Sequence, residues 1–408
     1  MTSPIQAITL REIRLPLREP FVTAHGVIDD RRIVLLEMAD GDGCRAWSEC
    51  VALAEPSYFP DTVDTAWLAI REWIAPRILG RTFEAPTELH RELAAAIRGH
   101  QMPRAAVEMG AWGLAARRRG VSLAELLGGT RSEVETGVAV GVQASREELV
   151  AKVREAVAEG YPRIKLKIRP GADFEPLRAV RETVGGEVAL IADANSAYTL
   201  ADAGRLTRLD ALGLLMIEQP LAWDDLVRHA ELQRRMATPI CLDESITGLA
   251  RAEDMVALGS GRIVSLKPGR VGGLSEALAI HDLCRRCAVP LWCGGMLESG
   301  IGRAYNVALA SLPGFTLAGD LSPSARYWAR DVVIPEWTMN GRGRIAVPRD
   351  TAGIGVDVDV DRIDDLTVRR EDLAASRGRA SSSTPSSVPP KAPAPAASPT
   401  GRSPRRPA

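Results

Sequence analysis

The run RIKLKI at residues 163–168 contains two of the chain's five lysines, although 51 residues are lysine or arginine. Side chains alternate between the two faces of a strand, so Lys165 and Lys167 share one face and the three aliphatic residues take the other. Burying two ammonium groups between a strand and a helix without partners is costly. We therefore expect both lysines to point into a barrel. Because burial can bring a lysine pKa into a useful range, this pattern indicates proton-transfer chemistry.

Seven further strand patterns accompany this run, and most are continuous apolar segments typical of parallel strands buried on both faces. Ionisable residues near successive strand ends are 26, 25, 25 and 24 positions apart, and Gly294 and Asp320 continue the series at 27 and 26. A unit of about 25 residues repeated eight times predicts a (β/α)8 barrel of the TIM type. A doubly wound sheet is the alternative, but it would not normally place ionisable residues at five successive strand ends. The strand patterns are TGVAVGV, VALIADAN, LGLLMIEQP, TPICLDES, GRIVSLKPG, VPLWCGG and FTLAGD, and the ionisable residues are Lys167, Asp193, Glu218, Asp243 and Lys267.

The chain divides into four predicted parts. Residues 1–130 contain the strand patterns ITLREIRLPL, RRIVLLEMAD and CRAWSECVAL, with a loop FVTAHG after the first, and then helical patterns. This order indicates an α+β unit. Residues 131–325 form the predicted barrel, and residues 326–376 form a C-terminal segment. Residues 377–408 are rich in Ser, Pro, Ala and Arg, and we expect this tail to be disordered.

Composition excludes several classes of protein. The 408 residues include 51 basic and 52 acidic ones, a balance that disfavours a nucleic-acid or acidic-membrane footprint. No apolar run approaches the roughly 18 residues that span a bilayer, and the N-terminus lacks a signal peptide's apolar core. We expect a cytoplasmic protein with a small-molecule partner. Cys284 and Cys287 form the only CxxC, and without a second pair we interpret them as helical thiols rather than zinc ligands.

Three carboxylates, those of Asp193, Glu218 and Asp243, should converge where consecutive strands end. Such hard oxygen ligands favour Mg²⁺ or Mn²⁺ over zinc or copper. Lys167 and Lys267 lie on predicted strands 2 and 6, which face each other across an eight-stranded barrel. This arrangement suits removal of a proton next to a carboxylate, with a metal stabilising the resulting enediolate. The alternative is that the acids only form structural ion pairs with the lysines.

We assign the role of general base to Lys167. Lowering a lysine pKa from about 10.4 to about 7–8 takes about 4 kcal/mol, which burial and a nearby like charge can supply. Lys165 would then have an electrostatic and substrate-binding role. Asn195 shares a face with Asp193 and contacts substrate or only orders its loop, whereas Glu244 should face away from Asp243 and lie behind the site. The chain has no GxSxG, no GxxxxGK[ST] and no GxGxxG after a strand.

Five motifs together resemble the enolase superfamily, in its muconate-lactonizing-enzyme subgroup. They are KLK at 165–167, DAN at 193–195, EQP at 218–220, DES at 243–245 and KPGRVGG at 267–273. The resemblance covers roughly residues 5 to 370. The run from WCGGMLESG to SARYW, together with IKLKIRPG and PICLDESI, looks most like the o-succinylbenzoate synthase / N-succinylamino acid racemase family.

This resemblance implies an α+β cap over a modified barrel, with residues 326–376 returning to the cap, and a homo-oligomer. It implies one Mg²⁺ on the three carboxylates. The implied synthase reaction is the syn-dehydration of 2-succinyl-6-hydroxy-2,4-cyclohexadiene-1-carboxylate in menaquinone biosynthesis, with Lys167 as base and Lys267 as a cation beside the enediolate. In the implied racemase reaction, the two lysines alternate as base and acid.

The resemblance implies that two loops of the cap determine substrate specificity. In this chain they match Phe21–Gly26, which includes His25, and Ala52–Pro60. Gly295, Met296 and Leu297 would line the carboxylate end of the substrate.

The chain differs from many relatives at one position, and it lacks motifs that are typical of two other branches of the superfamily. Many relatives have Ser or Thr where this chain has Ala139, which puts one substrate contact in doubt. VPLWCGGM lacks the histidine of mandelate-racemase-like dehydratases, and Asp320-Leu321-Ser322 lacks the Asp-x-Asp of dipeptide epimerases. A dedicated N-succinylamino acid or N-acylamino acid racemase is the first alternative to the synthase, and a muconate-type cycloisomerase and a non-catalytic barrel scaffold are weaker ones.

Overall fold

The computed structural model describes residues 3–23 and 26–375. Its strands, in chain order, are β1 (Ile5–Thr23), β2 (Gly26–Asp40), β3 (Arg45–Cys50), β4 (Glu133–Glu135), β5 (Val138–Val140), β6 (Arg163–Lys167), β7 (Ala189–Asp193), β8 (Met216–Glu218), β9 (Ile240–Leu242), β10 (Ile263–Leu266), β11 (Leu291–Cys293), β12 (Val333–Ile334), β13 (Arg344–Ala346), β14 (Asp357–Val358) and β15 (Thr367–Ala374).

The α-helices lie between and after these strands. They are α1 (Val63–Ala69), α2 (Ala75–Ile78), α3 (Pro86–Ala96), α4 (Gln101–Arg119), α5 (Leu123–Leu127), α6 (Arg146–Ala158), α7 (Phe174–Val184), α8 (Ala203–Leu206), α9 (Val227–Arg235), α10 (Leu249–Leu258), α11 (Pro268–Val271), α12 (Leu274–Arg286), α13 (Gly300–Ala310) and α14 (Val360–Leu366). A π-helical turn, Ile70–Ile74, joins α1 to α2, and short 3₁₀ turns cover Leu200–Asp202, Thr207–Leu212 and Ser324–Arg326.

An antiparallel cap sheet has the strand order β15-β1-β2-β3. The final strand pairs with β1, from Ala7 opposite Ala374 to Ile13 opposite Thr367, so the C-terminal segment returns to the first strand. Helices α1 to α4 bury a separate apolar core against this sheet, around the fully buried Trp67. Local signals set the limits of these helices. Thr62 caps α1, and Gly120 ends α4 in the left-handed conformation with a φ of 67°.

The predicted loop FVTAHG is wrong for most of its length. Phe21, Val22 and Thr23 extend β1 and pair with Ile28, Val27 and Gly26 of β2 in a long hairpin. Aromatic and β-branched residues favour extended pairing, so the hairpin continues past the irregularity that follows Pro16. His25, to which the resemblance assigned a substrate contact, lies outside the described residues, as does the predicted tail at 377–408.

Seven parallel strands, β5 to β11, lie side by side in chain order and form the curved wall of a barrel. The expected eighth strand, FTLAGD, is not a continuous strand. It forms two isolated bridges, Leu291 with Phe315 and Thr136 with Gly319. Even so, Thr316 N donates to Leu291 O and Gly137 N donates to Gly319 O, so this irregular segment links the two edges of the sheet. The predicted modified barrel with an α+β cap is confirmed.

The barrel interior changes from apolar to charged along its axis. Ile191, Met216, Cys241, Ile263 and Trp292 form a buried apolar layer inside it. Lysine and carboxylate side chains follow on the same strands, toward their carboxyl ends, where barrel enzymes place their active sites. Within the described ranges, no helix is long and apolar enough to cross a membrane.

Candidate active site

A cavity of about 430 Å³ opens at the carboxyl ends of the barrel strands and is bounded on its other side by the cap. The cap contributes Phe21 and residues from both predicted loops, including Tyr58. The barrel contributes eight of the predicted residues, and Ala139 also lines the wall. The predicted residues that line the cavity are Lys165, Lys167, Asn195, Lys267, Gly295, Met296 and Leu297, and the metal-ligand candidate Asp193 lies among them.

Lys165 lies at the centre of a buried charge cluster. Its Nζ is 2.6 Å from Asp320 Oδ2, 3.1 Å from Glu218 Oε2 and 3.2 Å from Asp193 Oδ2. Burial alone would lower the pKa of Lys165, but the three carboxylates outweigh it and raise that pKa well above its usual value. Lys165 is therefore a fixed positive charge at the floor of the cavity, as an electrostatic role requires.

Lys167 follows Lys165 on the same face of β6 and reaches β7. Its Nζ donates to Asp193 Oδ2 at 2.7 Å and to Asn195 Oδ1 at 2.6 Å. Asn195 has a left-handed backbone conformation, with a φ of 42°. Its side chain lies between Lys167 and the buried Glu244, and its Nδ2 donates to Glu244 Oε1 at 3.2 Å. Glu244 thus touches the site through Asn195 and does not line the cavity.

Lys267 is held from the cap as well as from the barrel. Its Nζ donates to Asp243 Oδ2 at 2.8 Å and to Tyr58 Oη at 3.0 Å, and it lies 4.7 Å from the centre of the Tyr58 ring. Burial would lower the pKa of Lys267, but Asp243 and Tyr58 outweigh it, so the pKa is raised. Arg270 donates to the other Asp243 oxygen and to Tyr58. Burial would raise the pKa of Asp243, yet Lys267 and Arg270 hold it well below its usual range.

The three candidate metal ligands end neighbouring strands. Asp193 pairs in register with Glu218, and Asp243 directly follows β9, the next strand. Glu218 Oε1 is buried and has no hydrogen-bond partner among the described residues. Burial, and then Asp193, raise the pKa of Glu218 to about 8. A cation could satisfy this unpartnered oxygen, so the all-oxygen donor set fits Mg²⁺.

The alternative, in which the three acids form structural ion pairs with the lysines, also agrees with the observed contacts. Lysine ammonium groups lie against all three carboxylates. In the described part of the chain, no three His, Cys, Asp or Glu side chains are gathered closely enough to hold a metal as they stand. A metal at this site would therefore have to take carboxylate oxygens from the lysines.

Four residues at the site have no role that the sequence predicted. Tyr58 and Arg31 gave no signal, because their partners are far away in the chain. Arg270 could have been found, since it lies three residues after Lys267 in the same motif. No role at the site was predicted for Asp320, yet it accepts from Lys165 Nζ at 2.6 Å and from Arg163 Nη2 at 2.5 Å.

An α+β cap over a modified barrel, with lysines and carboxylates at the strand ends, is the architecture of a class of barrel enzymes. Comparison with known sequences shows which family this chain belongs to. Residues 5–128 match the mandelate racemase / muconate lactonizing enzyme N-terminal domain, and residues 148–362 match the enolase C-terminal domain-like family. The chain belongs to this family of the enolase superfamily, as its motifs predicted.

Individual proteins of this family are similar to the chain over most of its length. The chain is 47% identical over 367 residues to an o-succinylbenzoate synthase of Geobacillus kaustophilus, covering 90% of this chain and 97% of the relative. It is 45% identical over 372 residues to an N-succinylamino acid racemase of Thermus thermophilus, covering 91% and 100%. A crystal structure of an enolase superfamily member from Listeria innocua superposes with a TM-score of 0.88 at 38% identity, covering 92% of this chain and 100% of that one.

Proposed function

We propose that this enzyme catalyses the syn-dehydration of 2-succinyl-6-hydroxy-2,4-cyclohexadiene-1-carboxylate to o-succinylbenzoate, in menaquinone biosynthesis, and also racemises N-succinylamino acids. The observation that carries the proposal is the presence of Lys167 and Lys267 at one cavity, on strand ends four strands apart. Both reactions remove a proton next to a carboxylate, and both names occur among relatives more than 40% identical to the chain.

In the dehydration, Lys167 performs the proton transfers. Its neutral Nζ accepts the α-proton, and the electron pair of that C–H bond moves into the carboxylate as an enediolate. The new ammonium group then returns the proton to the hydroxyl leaving from the adjacent carbon, so that water departs and the ring becomes aromatic. One group on one face can do both steps, which accounts for the syn course.

Lys267 stays protonated during the dehydration. Its contact with Asp243 and its position against the Tyr58 ring hold a positive charge on the other side of the cavity. A fixed cation that needs no reorganisation stabilises developing negative charge in a buried site. Lys165, which also lines the cavity, supplies a second fixed charge toward the substrate carboxylate.

Asp193, Glu218 and Asp243 would hold one Mg²⁺. The ion would supply Lewis-acid stabilisation of the substrate carboxylate as negative charge develops on it. The donor chemistry and the unpartnered Glu218 Oε1 support this assignment.

Racemisation is the second candidate, and a specific observation favours it. Lys267 lines the cavity as Lys167 does, from a strand end four strands away, which supports its assignment as a second acid–base group. One lysine would remove the α-proton while the other delivers a proton to the opposite face of the carbon. Each enantiomer would use the two lysines in reversed roles.

The test is a spectrophotometric assay with Mg²⁺ that follows loss of the diene absorbance, beside optical rotation of an N-succinylamino acid. We expect rapid conversion in the first assay and loss of rotation in the second. Lys167→Met should be inactive in both, whereas Lys152→Met, at a half-exposed lysine paired with Glu19, serves as the matched control. A folded, Mg²⁺-supplied enzyme without either activity would overturn the proposal.

Further parts of the proposal concern location and assembly. We propose a cytoplasmic homo-oligomer that acts on small carboxylates and binds neither nucleic acid nor membrane. The near-equal numbers of acidic and basic residues support the exclusion of nucleic acid. Sedimentation of the purified full chain would show the assembly, and a monomer at micromolar concentration would contradict that part.

A further inference from the structure

Arg31, on β2 of the cap, is buried, with only 1% of its surface exposed. Its Nη1 donates to Arg32 O and to Ala52 O at 2.9 Å, and its Nη2 donates to Val51 O at 2.8 Å and to Met296 O at 3.4 Å. Within residues 3–23 and 26–375 it forms no ion pair. Burying a guanidinium in this way is costly, so the contacts that it makes have to outweigh that cost.

The carbonyl groups that Arg31 binds belong to two different parts of the cavity wall. Val51 and Ala52 lie where β3 passes into the cap loop that carries Tyr58. Met296 belongs to the barrel segment 295–297, which follows β11 and lines the cavity. One side chain therefore joins the base of the cap loop to the barrel segment.

Glu49, on β3, crosses the same boundary a few residues away. Its Oε2 accepts from Ser299 Oγ at 2.6 Å and from the backbone N–H groups of Ser299 and Gly302, each at 3.1 Å. These N–H groups belong to the first turn of α13, where a helix has no internal acceptors. A carboxyl group of the cap thus caps a barrel helix that begins just after the segment 295–297.

The segment between these two anchors has a conformation that needs support. Leu297 has a φ of 55°, in the left-handed region that is unfavourable for a leucine. Such a backbone persists only where the surroundings hold it. Arg31 holds the residue before Leu297, and Glu49 holds Ser299 after it.

We propose that Arg31 and Glu49 are positioning residues that fix the segment 295–297 against the cap loop and thereby set the balance between racemisation and dehydration. This inference rests on the proposed function. Racemisation needs the α-carbon placed between two lysines, whereas dehydration needs one lysine for both proton transfers. A displacement of the wall should therefore affect racemisation more, since misplacement by about 1 Å costs on the order of 100-fold in rate.

The test compares kcat and KM for both reactions in four variants. Arg31→Met and Glu49→Ala remove the anchors, while Arg31→Lys and Glu49→Gln keep part of the hydrogen bonding. We expect kcat/KM for racemisation to fall roughly 100-fold in Arg31→Met and Glu49→Ala, and for dehydration roughly 10-fold. Glu49→Gln, which keeps a carbonyl acceptor, should recover most of the loss. Arg45→Met, at an exposed arginine on β3 that pairs with Glu37, is the matched control and should leave both reactions unchanged.

The outcomes separate this inference from the proposed function. If the unmodified enzyme catalyses neither reaction, the proposed function fails before any variant is measured. If it is active but the folded variants lose both reactions by the same factor, or lose neither, the inference is overturned. Should Arg31→Met fail to fold, the Glu49 pair decides. An altered ratio in Glu49→Ala that Glu49→Gln restores supports the inference, and an unaltered ratio overturns it.

Discussion

Lys167 and Lys267 occupy equivalent places at the ends of two barrel strands, yet their surroundings differ. Both hydrogen-bond partners of Lys167 lie at or just after the end of the adjacent strand β7. Lys267 has one partner in the barrel and one in the cap, Tyr58, whose ring also lies against its ammonium group. The cap thus supplies a hydrogen-bonding group that helps to hold Lys267 as a cation during the dehydration, whereas both hydrogen-bond partners of Lys167 belong to the barrel.

The largest expected effect is at Lys167. Replacing it with arginine keeps the positive charge but removes the base, because arginine cannot be deprotonated at neutral pH. We expect the dehydration kcat of Lys167→Arg to fall at least about 10³-fold, as low as in Lys167→Met. Steady-state kinetics with Mg²⁺ would check this, with Lys152→Met as control. An active Lys167→Arg would mean that the two lysines are not distinguished as described.

The next effect sharpens the comparison at Lys267. A cation is all that the dehydration needs there, so Lys267→Arg should keep a dehydration rate at least about tenfold above that of Lys267→Met. Racemisation should be lost in both variants, because neither side chain exchanges a proton at neutral pH. Measuring both reactions on the same preparations provides the internal control. Equal loss of dehydration in the two variants would contradict the role of a fixed cation.

The difference between Lys167 and Lys267 also depends on whether the candidate metal ligands keep their lysine partners when Mg²⁺ binds. Binding of Mg²⁺ to the folded state should stabilise it by about 2.7 kcal/mol at 100 times Kd. Thermal unfolding with and without Mg²⁺ measures this, and Glu218→Gln should abolish the rise in Tm because it removes one ligand charge. Unchanged Tm values in the unsubstituted enzyme would favour the structural ion pairs.

Much of the fold was predictable because it follows a local rule. Parallel strands buried on both faces leave apolar runs, and residues at their carboxyl ends recur about every 25 positions, so the amino-acid sequence alone aligns Lys167, Asp193, Glu218 and Asp243. The eighth strand was mispredicted because FTLAGD has a strand-like sequence but forms only two bridges. Sequence pattern does not report how many residues actually pair.

Contacts between cap and barrel were not predictable, because no periodicity connects them. Arg31 binds Met296 across 265 positions, and Glu49 binds Ser299 across 250. Tyr58 lies in a loop that the family resemblance marked as specific, but nothing in ALAEPSYFP indicated which residue reaches Lys267. These residues of the cap and of the barrel come into contact only when the chain is folded.

The smallest expected effect is at Tyr58. Tyr58→Phe keeps the ring against Lys267 but removes the hydroxyl, which donates to Asp243 Oδ2 at 3.1 Å and accepts from Lys267 and Arg270. A hydrogen bond of this kind contributes about 1 kcal/mol, which corresponds to about a fivefold change in rate. We expect that loss in racemisation and almost none in dehydration, because the retained ring and Asp243 still hold the cation. Tyr58→Ala, which also removes the ring, should extend the loss to dehydration. If Tyr58→Phe slowed dehydration as much as racemisation, the cap would be acting on the whole cavity, and the difference between the two lysines would not originate from their partners.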